Sequence, residues 1–135
     1  MRFTVSHRVR FQHCDPAGIV FYPRYFEMIN AVVEDWFAAM GMPFARMHGA
    51  EGAGVPTVAV SAEFPAASRL GDVLDFTLAV ARLGRTSAEL RIEARCGDEL
   101  RLRARPVLVW IDAQRMQARP WPEALRCRIE QTMEE

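Results

Sequence analysis

The segment from His13 to Tyr25, HCDPAGIVFYPRY, holds most of the groups in this chain that could do chemistry. Asp15 is the central one, because a carboxylate there could act as a nucleophile or as a general base. Asp15-Pro16-Ala17-Gly18 also fits a type I turn, with proline preset at the second position and glycine at the fourth. Local turn chemistry alone favours the turn-making role. His13 and Cys14 precede it, but neighbours in an extended chain point apart, so a Cys–His dyad is geometrically poor.

Other chemistries are excluded by what the chain lacks. All 17 cations are arginine, so Schiff-base and P-loop lysine mechanisms are out. There is no Gly-rich phosphate loop, no HExxH and no G-x-S-x-G, and His7, His13 and His48 are too scattered for a metal site. Cys14, Cys96 and Cys127 are odd in number and widely spaced, which reads as reduced thiols. The 17 cations balance 17 acidic residues, so no net field favours nucleic acid or an anionic membrane. The start alternates instead of building a charged head and an apolar block, and no apolar run approaches a membrane span. A cytoplasmic protein is the expectation.

The elements that must position Asp15 follow from periodicity. At 135 residues and 50% hydrophobic, the chain is expected to form one domain over 1–135 with a real core. Residues 2 to 11 alternate, with Phe3, Val5, His7, Val9 and Phe11 on one face, which predicts a half-buried strand. A helix is expected from Pro23 to Met40, started by its proline and stopped by Gly41. Its polar residues Arg24, Glu27, Glu34 and Asp35 form a narrow stripe, so the helix should be largely buried. Residues 44 to 54 read as a short helical turn running into a mobile loop.

Four strands are expected at 56–64, 72–83, 86–96 and 99–111, and an amphipathic tail from Trp121 onward suggests a terminal helix with a frayed end. In the last hairpin, a three-residue loop Cys96-Gly97-Asp98 would set Arg95 opposite Glu99, Glu93 opposite Arg101, Glu89 opposite Arg105 and Ile92 opposite Leu102. Sliding by two residues would oppose Arg95 with Arg101, so the first register is favoured. A strand, a long buried helix and four antiparallel strands give an α+β domain whose sheet wraps its helix. Long sheet edges favour pairing with a second copy, so a homodimer is expected.

The run CDPAGIVFYPRYFEMINAVVEDWF, together with RLGDVLDF at 69–76 and LGRTSAEL at 83–90, resembles the 4-hydroxybenzoyl-CoA thioesterase family of hot-dog fold enzymes. The resemblance implies hydrolysis of an acyl-CoA thioester at a subunit interface, without a metal or other cofactor, in dimers that often pair into homotetramers. It places the family's catalytic carboxylate at Asp15 and so reverses the order of its two roles. Independently, a thioester needs mainly a placed carboxylate and donors for developing negative charge. The start of the helix near Tyr22 and Pro23 supplies unpaired N–H groups and the positive end of its dipole. Proline cannot donate, which leaves the Tyr22 N–H.

The DPAGIVFYP form is similar to the aromatic acyl-CoA branch, and a tyrosine where another branch has histidine argues against that branch. Asn30 on the helix either hydrogen-bonds a substrate hydroxyl, lines a pocket for an unsubstituted ring, or borders the solvated stripe. By resemblance Arg85, Thr86 and Ser87 contact the nucleotide of CoA, and an arginine fork beside hydroxyls suits phosphate; an ordinary polar turn is the other reading. A non-catalytic acyl-CoA binder and a hot-dog dehydratase are the functional alternatives, the latter needing a histidine that is not persuasively placed.

Overall fold

Alternation of apolar and polar residues makes β1 (Phe3–Arg8), and its partner is the long strand β4 (Val73–Leu83), with Phe3 facing Leu78 and Arg8 facing Val73. The computed structural model describes residues 1–134. In chain order, β1 is followed by a tight turn at Phe11–His13, the helices α1 (Arg24–Ala39) and α2 (Phe44–His48), and the strands β2 (Ala53–Gly54) and β3 (Thr57–Glu63). After β4 come β5 (Ser87–Cys96), β6 (Glu99–Val109), β7 (Ile111–Asp112), β8 (Gln117–Ala118) and the helix α3 (Glu123–Glu130). The main sheet is antiparallel in the order β1-β4-β5-β6-β3, and the expected α+β architecture is what forms.

The core lies between that sheet and α1. Tyr25, Met28, Ile29, Val32, Val33, Trp36 and Phe37 recur at helical spacing and are buried against Leu74, Phe76, Leu78, Leu90, Ile92 and Leu102 from the strands. Each large apolar side chain so buried contributes about 1.5–3 kcal/mol, which is why Val32→Asp, placing an unpaired carboxylate there, would break the packing. The helix ends where Gly41 turns left-handed (φ +82°): its N–H donates to the Ala38 carbonyl and that of Met42 to Phe37, satisfying carbonyls the helix would otherwise leave open. Phe26 is an exception to the expected burial, standing exposed one turn before Asn30.

The β5–β6 hairpin does not take the register that charge pairing favours. Gly97, with φ +60°, makes a two-residue loop that sets Cys96 opposite Glu99. Continued regularly, that loop would turn the arginines of β6 toward the core, because a one-residue slip exchanges the two faces of a strand. A bulge corrects it: Arg95 faces Leu100 and Ala94 faces Leu102, leaving Arg101 as the extra residue. Glu93 therefore faces Arg103, with Nε to Oε2 at 3.2 Å, while Ile92 faces Ala104 and Glu89 faces Val107.

Two further expectations are corrected. Residues 53–54, read as part of a mobile loop, are buried and pair with Ile111–Asp112 in a small second sheet, β2-β7-β8. The fraying expected of the tail does not reach Thr132–Glu134, which lies along β4, where Val80 N–H donates to Thr132 O at 2.9 Å and Glu134 N–H to Val80 O at 3.0 Å.

Candidate active site

Asp15 sits on a tight reversal between Cys14 and Val20, which pair across it. Gly18 N–H donates to Asp15 O at 2.9 Å, Asp15 N–H donates to Ile19 O at 3.1 Å, and Asp15 Oδ1 accepts the Ala17 N–H at 2.9 Å. Gly18 has φ +82°, a conformation that an L side chain would strain. The turn thus uses one carboxylate oxygen, while Oδ2 makes no hydrogen bond among the described residues. The side chain is half-buried, so water and a substrate can both reach it.

The chain then enters α1 through Phe21, Tyr22 and Pro23. Phe21 N–H donates to His13 O; those of Arg24, Tyr25 and Phe26 donate back to Phe21, Tyr22 and Pro23 in tightened i to i−3 bonds. Proline has no N–H. Among these residues the Tyr22 N–H is left without a backbone acceptor, at the positive end of a 16-residue helix.

Aromatic rings surround that donor. Phe21, Tyr22 and Phe26 are exposed, and Phe64, just past the end of β3, stacks on Tyr25 with centroids 5.0 Å apart and planes 18° apart. Phe64 was not foreseen. It closes the 56–64 strand in sequence, and nothing local indicates that it meets α1.

His13 also borders the turn. Its Nδ1 accepts the Arg10 N–H at 2.8 Å, which fixes the neutral ring with its proton on Nε2. Burial is the main reason its pKa lies below the ordinary histidine range; Arg10, Arg24 and His7 push the same way and Glu27 opposes.

The remaining expected site residues are spread out. Asn30 lines an open cavity of about 360 Å³ with Phe44, His48, Val55, Pro56 and Ile111, roughly 9 Å along α1 from its start by the helical rise. Neither Asp15 nor Tyr22 lines that cavity. Arg85, Thr86 and Ser87 form the β4–β5 turn, which is closed by Gly84 N–H to Ser87 O at 2.8 Å and held from behind by Trp110 and Trp121. That turn follows the far end of β4, whereas Asp15 lies near the Val73 end; an 11-residue strand separates them by on the order of 30 Å. A single chain therefore places Asp15 and Tyr22 on the same reversal but Arg85 far from it. An open depression of about 410 Å³ on the outer sheet face, bordered by Arg2, Thr77, Arg91 and Glu93, includes none of these groups. Among the described residues, no cluster of histidine, cysteine and carboxylate groups could hold a metal ion, and no helix is long and apolar enough to cross a membrane.

An antiparallel sheet packed around one long helix is the hot-dog fold. The chain belongs to the thioesterase-like superfamily, whose family model matches residues 9–129. It is 33% identical over 86 residues to 4-hydroxybenzoyl-CoA thioesterase of Pseudomonas sp. (strain CBS-3), a match covering 62% of this chain and 61% of that protein, which is less than two thirds of the relative's length. The solved structure of the thioesterase from that strain superimposes with a TM-score of 0.83 at 29% identity, over 94% of this chain and 98% of the other. A variant of 4-hydroxybenzoyl-CoA thioesterase in complex with 4-hydroxybenzoyl-CoA gives 0.84 at 28%, over 95% and 98%. The 1,4-dihydroxy-2-naphthoyl-CoA thioesterase from Synechocystis gives 0.86 at 21%, over 96% of each chain, a likeness of fold.

Proposed function

We propose that the protein is an acyl-CoA thioesterase that hydrolyses an aromatic acyl-CoA, of the benzoyl or 4-hydroxybenzoyl type, to the free acid and CoA. The observation that carries the reading is the Tyr22 N–H left without a backbone acceptor beside the Asp15 turn. A thioester carbonyl oxygen placed on this donor gains negative charge as the carbonyl is attacked, and a well-aimed donor of this kind is worth about 10² to 10³ in rate. Asp15 Oδ2 has two routes open to it. As a nucleophile it forms a mixed anhydride and expels CoA thiolate, and water then cleaves the anhydride; as a general base it takes a proton from the water that attacks directly. The exposed aromatic rings around Tyr22 suit a planar acyl group, and the relative that matches this chain at 33% identity is a thioesterase of 4-hydroxybenzoyl-CoA by name.

The active unit is a homodimer or homotetramer in the cytoplasm. β3 is an edge strand exposed along nearly its whole length, with Val58 60% and Val60 43% accessible, and a bare apolar edge favours pairing with a second copy. Such an assembly also supplies what one protomer lacks, because Arg85, Thr86 and Ser87 of another copy can then reach the CoA phosphates. The three unpaired cysteines fit a reducing compartment.

Thiol release from a panel of acyl-CoAs tests the reading. Aromatic acyl-CoAs are expected to be turned over well above straight-chain ones; binding without thiol release would make the protein an acyl-CoA binder instead.

A further inference from the structure

Arg101 is the bulged residue of β6, and its side chain is only 12% exposed. Instead of lying in the charge ladder of the outer sheet face, it reaches into the loop before β4. One guanidinium nitrogen, NH1, donates to Asp72 Oδ2 at 2.8 Å and to Ser68 Oγ at 3.3 Å, and Nε lies 2.6 Å from Glu99 Oε1. The same Asp72 oxygen accepts the Arg69 N–H at 2.9 Å, and the Asp72 N–H donates to Arg69 O at 3.0 Å. Residues 68–72 are thereby tied together in one hydrogen-bonded loop.

That loop is what the Asp15 reversal rests on. Val20 N–H donates to Ser68 O at 2.9 Å, Ile19 pairs with Arg69, and Asp15 N–H in turn donates to Ile19 O at 3.1 Å. Ser68 is fully buried. The other flank is held too, since Val9 N–H donates to Asp72 O at 2.7 Å and Gly71 N–H to Val9 O at 3.0 Å. A continuous chain of short hydrogen bonds therefore runs from the β6 bulge through Asp72 and Ser68 to both ends of the segment that carries Asp15.

We infer that the Arg101–Asp72–Ser68 cluster is a positioning device that sets the Asp15 carboxylate against the start of α1, and that the β6 bulge serves to aim Arg101 at it. The inference rests on the catalytic reading of Asp15. Reaction geometry tolerates little error, since a displacement of about 1 Å can cost 10²-fold in rate. Loss of the cluster should therefore appear in kcat more than in KM, because the acyl and nucleotide contacts are made elsewhere.

Asp72→Asn and the milder Arg101→Lys, each also combined with Asp15→Asn, test this in the full-length protein. The readouts are kcat and KM with the best aromatic acyl-CoA, and hydrogen exchange at the Val20 and Asp15 amides. Asp72→Asn is expected to lower kcat about tenfold or more with KM within twofold, to speed exchange at those two amides, and to cost nothing further in the Asp15→Asn background. Arg101→Lys, which keeps the charge but loses the fork, should fall in the same direction by less. Unchanged kcat in either folded variant, or losses that multiply fully with that of Asp15→Asn, would overturn the positioning role. Failure of the Asp15 reading is separate and visible, because Asp15→Asn alone would then stay active.

Discussion

The Arg10 N–H donates to Nδ1 of His13 at 2.8 Å, so the tight turn that precedes Asp15 is built on a neutral imidazole. Protonation of Nδ1 destroys the acceptor and puts two donors face to face. The folded-state pKa lies below the ordinary value of about 6.5, chiefly because the ring is partly buried. The stabilisation is fully present above pH 6.5 and is lost as pH falls through the lower folded value. Melting temperature should therefore decline as pH falls below 6.5 in the parent and decline less in His13→Gln, as followed by calorimetry. Equal slopes in the two proteins would remove His13 from the account.

Asn30 borders a cavity on the exposed side of α1, one turn beyond Phe26. If the acyl ring reaches that cavity, Asn30→Asp changes the ratio of kcat/KM for 4-hydroxybenzoyl-CoA over benzoyl-CoA by about tenfold, or roughly 1.4 kcal/mol. An unchanged ratio places the cavity outside the acyl site.

Arg85 lies a full strand length from Asp15 of the same chain. A contact to a remote phosphate binds ground and transition states alike, so Arg85→Ala should raise KM for acyl-CoA and largely spare kcat. Acyl-pantetheine, which lacks the nucleotide, should be indifferent to the substitution. A KM for acyl-CoA equal to the parent's would show that the GRTS turn is structural only.

The sequence carried the long-period features well and the short ones poorly. The alternation at the start of the chain and the apolar face of residues 23 to 40 specify β1 and α1 because each repeats its period, although the strand stops at Arg8 and Phe11, expected on its buried face, stands exposed in the turn that follows. β2, β7 and β8 are two residues each, too short for any period to show. The hairpin register was misread because cross-strand charge pairs, worth about 0.2 to 1 kcal/mol each, are weaker than the rule that apolar residues face the core, and a bulge satisfies that rule invisibly to pairing arithmetic. The turn at Asp15 and the helix start after Tyr22 were legible because turn and helix-start residues have local signatures, whereas the catalytic reading of Asp15 came from the family resemblance and not from its local pattern. Ser68 was not legible: a small polar residue in an alanine-rich stretch becomes a keystone only when the chain from β6 and the chain from β1 meet over it. Arg101 gave no sign either, its role depending on the bulge that sets it apart from its neighbours.

Asp15→Asn tests the central claim most directly. The substitution keeps the side-chain shape and an Oδ1 that can still accept the Ala17 N–H, so the turn survives, while the negative charge needed at Oδ2 for attack or proton abstraction is gone. Measured by thiol release with an aromatic acyl-CoA, kcat is expected to fall by about 10² to 10⁴, with melting temperature and substrate binding close to the parent's. Retention of more than about a tenth of the parent kcat, with mass spectrometry excluding deamidation back to aspartate, would contradict the account and leave Asp15 as a turn residue alone.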